Sequence, residues 1–451
     1  MATAVQTSPT ITTLNDPRIK EGIQSLRQTD NVTNLFYLLR TYLYLAMVIL
    51  VALYFYAIND WSIWLNVPVT MAAILLIGAG QHQLTGLAHE ASHHILLRNR
   101  FGNDLISDWF CMFPLFSSTQ HYRLQHIAHH QFVNDPDRDP DVSQLQTSGH
   151  WLHFPVDKST FLMTLLKQLW LPNLFRFMRI RAAYNAIPTD KNPYLKKGWK
   201  PNKKTVRVGI LYILTLIGTL AGLVYHGDPL LLAIIPAGMF TAIIGFYAMI
   251  PATMYHQSRV HPVISMRAMT LMRMTYVSLL FNGLAWLSLY VTPYAALFYF
   301  LLWVVPIFTS FSFFMILRQL VQHGNGGRGW LTNTRVFFID PIINFAVFPL
   351  GQDYHLPHHL FASVTHYRLS ELHKLLSQCA EYREQAVVVE GYFLPYEKPP
   401  TKPTVLDVLG PAYHHHGEPV YIDNEVLEGE QVEEKEEILR QGEEEKRKGQ
   451  G

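Results

Sequence analysis

Stretches of about twenty apolar residues alternate with polar segments along most of this 451-residue chain. Each stretch is near the length that an α-helix needs to cross the hydrocarbon core of a bilayer. The pattern predicts an all-α, polytopic membrane helix bundle with four to six spans. The candidate spans are residues 41–58, 67–87, 206–225, 230–250, 269–291 and 294–317.

Basic residues are distributed unevenly among the segments that connect these stretches. The short connections 59–66, 226–229 and 292–293 contain no Lys or Arg, whereas a dense basic stretch runs from Lys167 to Arg207. By the positive-inside rule, the basic connections and both termini lie in the cytosol. We therefore expect a multi-pass integral membrane protein, either of the bacterial inner membrane or of the endoplasmic reticulum.

Composition divides the chain into three parts. Residues 1–35 are a polar N-terminal segment, residues 36–395 contain the apolar stretches, and residues 396–451 are a linker and a charged tail that we expect to be disordered. A net charge of +2 does not indicate nucleic-acid binding. Two cysteines, Cys111 and Cys379, cannot form a disulfide framework.

Histidines gather in three short clusters beside the predicted spans, on the side with the basic connections. Spacings of three and four residues place imidazoles on one face of a helix, where they can converge on metal. Nine imidazoles exceed the needs of one tetrahedral zinc ion, so they indicate two metal ions in a cytosolic helical cap. The clusters are His89-Glu-Ala-Ser-His93-His94, His126-Ile-Ala-His129-His130 and His355-Leu-Pro-His358-His359.

Other residues near the clusters are candidates for supporting roles. His323 follows the last span on the same side and is a tenth candidate ligand, and Gln319, one turn earlier, is a candidate to hold a metal-bound water. Asp135, Asp137 and Asp139 imitate the start of a calcium loop, but its later ligand positions are not matched. We expect instead a carboxylate-rich turn that holds the second cluster in place.

Two other classes of metal protein share parts of this pattern. The sequence His89-Glu90-x-x-His93 is also the pattern of zinc metalloproteases, in which Glu90 would be the general base. An intramembrane protease would leave at least six of the clustered histidines without a role. A metal transporter would place its ligands near the bilayer midplane. With two metal ions, Glu90 would instead accept a hydrogen bond from an imidazole and orient it.

The three clusters resemble the histidine boxes of the membrane fatty acid desaturase family, which is related to alkane and fatty acid hydroxylases. The family patterns H-x3-HH, H-x2-HH and H-x2-HH match in the same order. The resemblance implies a diiron centre with dioxygen as co-substrate, which introduces a double bond into an acyl-lipid or acyl-thioester. A hydroxylase of alkyl or acyl chains on the same site is the alternative. The implied ligands are His89, His93, His94, His126, His129, His130, His323, His355, His358 and His359.

Electrons for this chemistry must come from outside the chain. The sequence contains no haem-binding His-Pro-Gly-Gly motif, and two cysteines cannot supply a four-cysteine iron–sulfur cluster. We therefore expect a separate electron-transfer protein of the ferredoxin, rubredoxin or cytochrome b type. The second expected partner is the membrane lipid or acyl substrate.

Overall fold

The computed structural model describes residues 13–187, 189–191, 193–327 and 329–413. Within these ranges the chain is mostly helical, which confirms the predicted all-α class. Two short strands, β1 (Arg335–Phe338) and β2 (Val387–Glu390), pair in parallel. The helices are α1 (Pro17–Leu26), α2 (Thr33–Ile58), α3 (Asn66–Ser92), α4 (Arg100–Ser107), α5 (Thr119–Gln131), α6 (Pro140–Ser148), α7 (Lys158–Gln168), α8 (Leu171–Asn185), α9 (Lys203–His226), α10 (Pro229–Met249), α11 (Met266–Tyr290), α12 (Ala295–Tyr299), α13 (Val305–Phe308), α14 (Ser310–His323), α15 (Pro341–Val347), α16 (His355–Leu360), α17 (Leu369–Leu376), α18 (Ala380–Gln385) and α19 (Val405–Leu409).

Five helical segments of the described chain are long and apolar enough to cross a membrane, judged by length and composition. They correspond to five of the six predicted spans. The sixth, residues 269–291, forms most of α11, which is long but carries Arg273 and Asn282; its crossing stays a prediction. The five segments are Thr33–Ile58, Ile63–Ser92, Lys203–His226, Pro229–Met249 and Ala295–His323.

Helix α3 forms the centre of the bundle and carries the first histidine cluster at its end. Every residue from Ile77 to Ser92 is buried, because α2, α5, α14 and α15 pack around this half of the helix. The preceding turns expose Met71, Leu75 and Leu76, as expected of a surface that faces lipid. The helix therefore runs from an apolar exterior into a fully enclosed end.

Two polar side chains in this buried half of α3 bind the end of a short neighbouring helix. The Nε2 atom of Gln83 donates to the carbonyl of Phe345 at 2.6 Å, and Nδ1 of His82 lies 2.8 Å from the carbonyl of Ala346. Both carbonyls belong to the last turn of α15, where the helix itself offers no partner. These contacts fix α15 against α3, close to the third histidine cluster in sequence.

The described structure continues past residue 395 and includes a short helix in the segment that the sequence predicts to be a linker. Helix α19 begins with a capping box, in which the side chains of Thr404 and Asp407 bind each other's backbone N–H groups. Its four apolar side chains are buried in the same core as α8 and α14. The signal was missed because five residues are too few for a clear helical period. The tail 414–451 lies outside the described residues.

Candidate metal centre

Nine histidines from four parts of the chain converge in two buried groups. In each group, one nitrogen atom of every residue lies within 4.8 Å of the others. All nine belong to the ten ligands that the sequence predicts. The first histidine group consists of His89, His93, His126, His130 and His358, and the second of His129, His323, His355 and His359.

The helical spacing within α5 and α16 is compatible with the division between the groups. In α5, His126 and His130 enter the first group, whereas His129 enters the second. Helix α16 mirrors this arrangement: its outer two histidines enter the second group and its middle one the first. Residues four apart on a helix point about 40° from each other, whereas the residue three along is rotated by about 60° to the other side. Each short helix thus supplies two nitrogens to one group and one to the other.

The distances between ring nitrogens match those between neighbouring ligands of one metal ion. The Nε2 atom of His126 lies 2.8 Å from Nε2 of His93 and 3.0 Å from Nε2 of His130. In the second group, Nε2 of His323 lies 2.9 Å from Nε2 of His355. Two nitrogens bonded at about 2.1 Å to one ion, at right angles, are about 3.0 Å apart. The spacing therefore fits metal coordination.

The outer ring nitrogens of two histidines have fixed partners, so their inner nitrogens face each other within the second group. Nδ1 of His323 donates to the backbone carbonyl of Asn333 at 3.1 Å, and Nδ1 of His129 lies 3.0 Å from Asp139. Since a carbonyl only accepts, the proton of neutral His323 is on Nδ1. Its Nε2 then faces Nε2 of His129 at 3.2 Å without a proton of its own. A metal ion bound by both inner nitrogens would use the lone pair of His323 and replace a proton on His129, so the donor set suits a metal ion.

Burial keeps most of these imidazoles neutral, which is the form that binds metal. Desolvation lowers the pKa of His126 and His359 well below the ordinary value, and neighbouring imidazoles add to the effect. His129 differs: burial again disfavours the charged form, but the carboxylates of Asp139 and Asp141 together more than offset this and raise the pKa to about 9. A metal ion at Nε2 takes the place of that second proton.

The carboxylate-rich turn after the second cluster holds a histidine, as expected. Asp139 is buried, and its two carboxylate oxygens lie 3.0 and 3.1 Å from Nδ1 of His129. Asp135 binds Arg138 within the turn. Of the three acids in the turn, Asp139 is thus the one that contacts the clusters.

His94 is the predicted ligand that the structure does not bring to either group. Helix α3 ends at Ser92, and His94 adopts a left-handed backbone with φ of 55°. Its Nδ1 lies 3.3 Å from the guanidinium of Arg123, which is itself ion-paired with Asp104 at 2.6 Å. Because the helical spacing no longer applies beyond Ser92, the side chain turns towards this ion pair. We therefore leave His94 out of the proposed ligand set.

Glu90 is buried, and the imidazole that it holds lies outside the three clusters. One carboxylate oxygen accepts the backbone N–H of His366 at 2.9 Å and lies 3.3 Å from its Nδ1. The other lies 3.8 Å from Nδ1 of His89, beyond hydrogen-bond distance. Glu90 thus ties the end of α3 to the turn His366–Arg368. Sequence reasoning did not single out His366, which belongs to none of the spaced clusters.

A small cavity of about 20 Å³ adjoins both histidine groups. Gln319 faces it, as expected of a residue beside the metal ions, and its Oε1 has no hydrogen-bond partner among the described residues. Its role in holding a water molecule stays a prediction. The other polar side chains around the cavity include Gln125, Asp141, Arg181, Asn185, Arg318, Gln322 and Gln352.

Comparison with known proteins agrees with the arrangement of the clusters. The family model described as fatty acid desaturase matches residues 62–284 and 245–389, well over half of the chain. Dihydrorhizobitoxine desaturase of Bradyrhizobium elkanii is 35% identical over 132 residues. Delta(5) fatty acid desaturase fat-4 of Caenorhabditis elegans is 27% identical over 129 residues, and Delta 8-(E)-sphingolipid desaturase of Candida albicans 28% over 151.

These pairwise matches are partial. Each covers 29% of this chain, and they cover 34%, 26% and 25% of the three relatives, respectively. The chain thus spans about a third or less of the length of the curated relatives that it matches. All three relatives are named as desaturases, and the substrates in their names differ.

Proposed function

This chain belongs to the fatty acid desaturase family, and from that premise we propose a diiron, dioxygen-dependent oxidoreductase that introduces a double bond into a fatty acyl chain. The observation that carries the proposal is the convergence of nine buried histidines in two adjoining groups. Two bound iron ions supply the dioxygen chemistry that removes hydrogen from an unactivated carbon. The remaining tasks, which are positioning and exclusion of water, fall to the protein.

We assign one iron ion to each histidine group. The carboxylate of Asp139 and the carbonyl of Asn333 hold the outer nitrogens of His129 and His323, so that the inner nitrogens are directed at the second ion. Burial of all nine side chains keeps bulk water from the centre. A hydroxylase would use the same ligands, since both reactions begin with removal of hydrogen from the same chain.

The contacts of Glu90 count against the metalloprotease alternative. A protease of that type needs this carboxylate beside its zinc-bound water as general base. Here the carboxylate is buried and accepts hydrogen bonds from His366, on a different element. A single zinc site would also leave the second histidine group without a function.

The partners and the location belong to the same proposal. Five apolar helices and the family fit a multi-pass membrane protein. We assign the histidine groups to the cytosolic side of a bacterial inner membrane or of the endoplasmic reticulum. The substrate is an acyl-lipid or an acyl-thioester, and a separate ferredoxin, rubredoxin or cytochrome b type protein delivers electrons.

Expression of the chain in a host of defined lipid composition tests the proposal. Mass spectrometry of the total acyl chains is expected to show new double bonds, and the purified protein is expected to contain two iron ions. His129→Ala should lose both the new double bonds and the full iron content. His153→Ala, which changes an exposed histidine, should keep the double bonds and the iron. Hydroxylated chains would favour the second candidate. Double bonds that persist in His129→Ala would contradict the assigned centre.

A further inference from the structure

Two buried arginines face the cavity beside the histidine groups. Arg181 comes from α8 and Arg318 from α14, and their side chains are only 8% and 7% exposed. Both line the cavity together with His129 and His355. Buried arginines are rare in proteins unless an acid or a ligand pairs with them.

Neither guanidinium forms a hydrogen bond or a close ion pair within the described part of the chain, and Asp141 attracts both of them only from a distance. No hydrogen bond or ion pair joins Arg181 or Arg318 to a described residue, and Nε of Arg318 is a buried donor without an acceptor. Arg123, which is equally buried, shows the contrast: it donates to Asp104 at 2.6 Å and to the carbonyl of Ala91 at 2.7 Å. Among the described residues, Arg123 is thus paired with an acid, whereas the two arginines at the cavity are not.

The charges around the cavity leave a positive excess. Two guanidinium groups face one carboxylate, that of the half-buried Asp141, and the remaining polar lining is made of amides, imidazoles and the phenol of Tyr122. A methylene chain cannot accept hydrogen bonds from a guanidinium, so it would leave both cations unsatisfied. An anion with two oxygen atoms satisfies them, because a planar guanidinium matches a carboxylate through paired N–H donors.

We propose that Arg181 and Arg318 bind a carboxylate group of the substrate in this cavity. The inference rests on the proposed reaction and revises its substrate class: the oxidised bond lies within a few bonds of a free carboxylate. It thereby replaces the lipid ester or thioester by a free acid. A cavity of about 20 Å³ has room for one or two water-sized groups, which is enough for a carboxylate group.

Equilibrium binding of radiolabelled octanoate to the purified full-length protein tests this proposal. We expect saturable binding that unlabelled octanoate displaces and methyl octanoate does not. Arg181→Gln and Arg318→Gln should each weaken binding at least tenfold, and Arg318→Lys should restore part of it. The matched control is Arg179→Gln, which changes an exposed arginine of the same helix and should leave binding unchanged.

A variant that removes a negative charge distinguishes an effect on anion binding from a general effect on folding. Asp141→Asn removes the one negative charge of the cavity, so it should tighten octanoate binding several-fold. General damage to the fold would weaken binding in every cavity variant. Weaker binding in Asp141→Asn, together with weaker binding in the arginine variants, would therefore overturn the proposal.

The remaining outcomes are equally decisive. Equal binding of octanoate and its methyl ester, or unchanged binding in both glutamine variants, would overturn the role of the arginines. Acetate or inorganic phosphate that binds as tightly as octanoate would show a site for free anions and overturn the substrate assignment. A protein that binds octanoate through both arginines but forms no oxidised product in the host contradicts the proposed function alone.

Discussion

Asp139 is a single residue that contacts the second histidine group directly, through a hydrogen bond to His129. Its carboxylate accepts the Nδ1–H of His129, and it also accepts the backbone N–H groups of Asn134 and Asp141. It is the N-cap of α6, so one buried acid joins the end of α5 to the next helix. A carboxylate behind an imidazole fixes the ring and increases the basicity of its inner nitrogen. The position of His129 therefore depends on a residue outside the clusters.

Replacement of this acid by its amide isolates that effect. We expect Asp139→Asn to lower the affinity of the second group for iron by about 10- to 100-fold, because the neutral amide holds the Nδ1–H less firmly. Iron per chain, measured after dialysis against increasing concentrations of chelator, checks this. Asp137→Asn changes an exposed acid of the same turn and should behave like the unchanged protein. Equal iron retention in the two variants would show that Asp139 does not support the site.

The spacing of histidines in the sequence identified the candidate ligands, but it did not identify which histidine group each ligand joins. The spacing of His126, His129 and His130 predicts one shared face, yet the structure sends the middle residue to a different group. The reason is that His89 and His93 at the end of α3 complete the first group, whereas His323 of α14 completes the second, and the sequence does not contain that packing. His94 was included because the box pattern does not reveal that α3 ends two residues earlier. The cavity arginines belong to no spaced motif.

At the level of elements, the contact between α3 and α14 determines the relative position of the histidines that these two helices contribute to the two histidine groups. A Cβ atom at Gly78 would lie 2.1 Å from Oγ of Ser310 and 2.7 Å from the backbone nitrogen of Phe311. Ser310 in turn donates to the carbonyl of Ile74 at 2.6 Å, so the two helices touch backbone to backbone. Each helix runs on from this contact to a histidine at its far end. The long apolar segments predicted both helices, whereas this close approach follows only from their packing.

Gly78→Ala tests whether this contact positions the centre. The added methyl group must push α14 away, so we expect a stability loss of about 1–3 kcal/mol and weaker iron retention. Thermal unfolding of the purified protein and iron per chain measure the two effects. The control is Gly218→Ala in α9, where a Cβ atom meets nothing within 4 Å. Its unfolding temperature should stay the same or rise slightly, because alanine favours helix. If the two variants had the same unfolding temperature and the same iron content, the contact between α3 and α14 would not position the centre.

For the molecule as a whole, the length of α3 matches the thickness of a bilayer, which predicts that the two ends of this helix lie on opposite sides. The helix begins at Asn66, and His89 lies 23 residues later, which corresponds to about 35 Å at 1.5 Å per residue. That distance slightly exceeds the thickness of the hydrocarbon core. We therefore expect the connection 59–65 and the histidine groups to face different compartments. The distribution of basic residues predicts which compartment is the cytosol.

Labelling of single cysteines in intact spheroplasts determines this orientation. Cys111 and Cys379 are fully buried, so they should not react with a membrane-impermeant maleimide. Asp60→Cys exposes a thiol in the connection between α2 and α3, and Ser159→Cys exposes one in α7, beyond the second histidine cluster. We expect Asp60→Cys to react in intact spheroplasts and Ser159→Cys to react only after permeabilisation, because the basic side stays in the cytosol. The reverse order would place the histidine groups, and any electron-transfer protein that serves them, outside the cytosol.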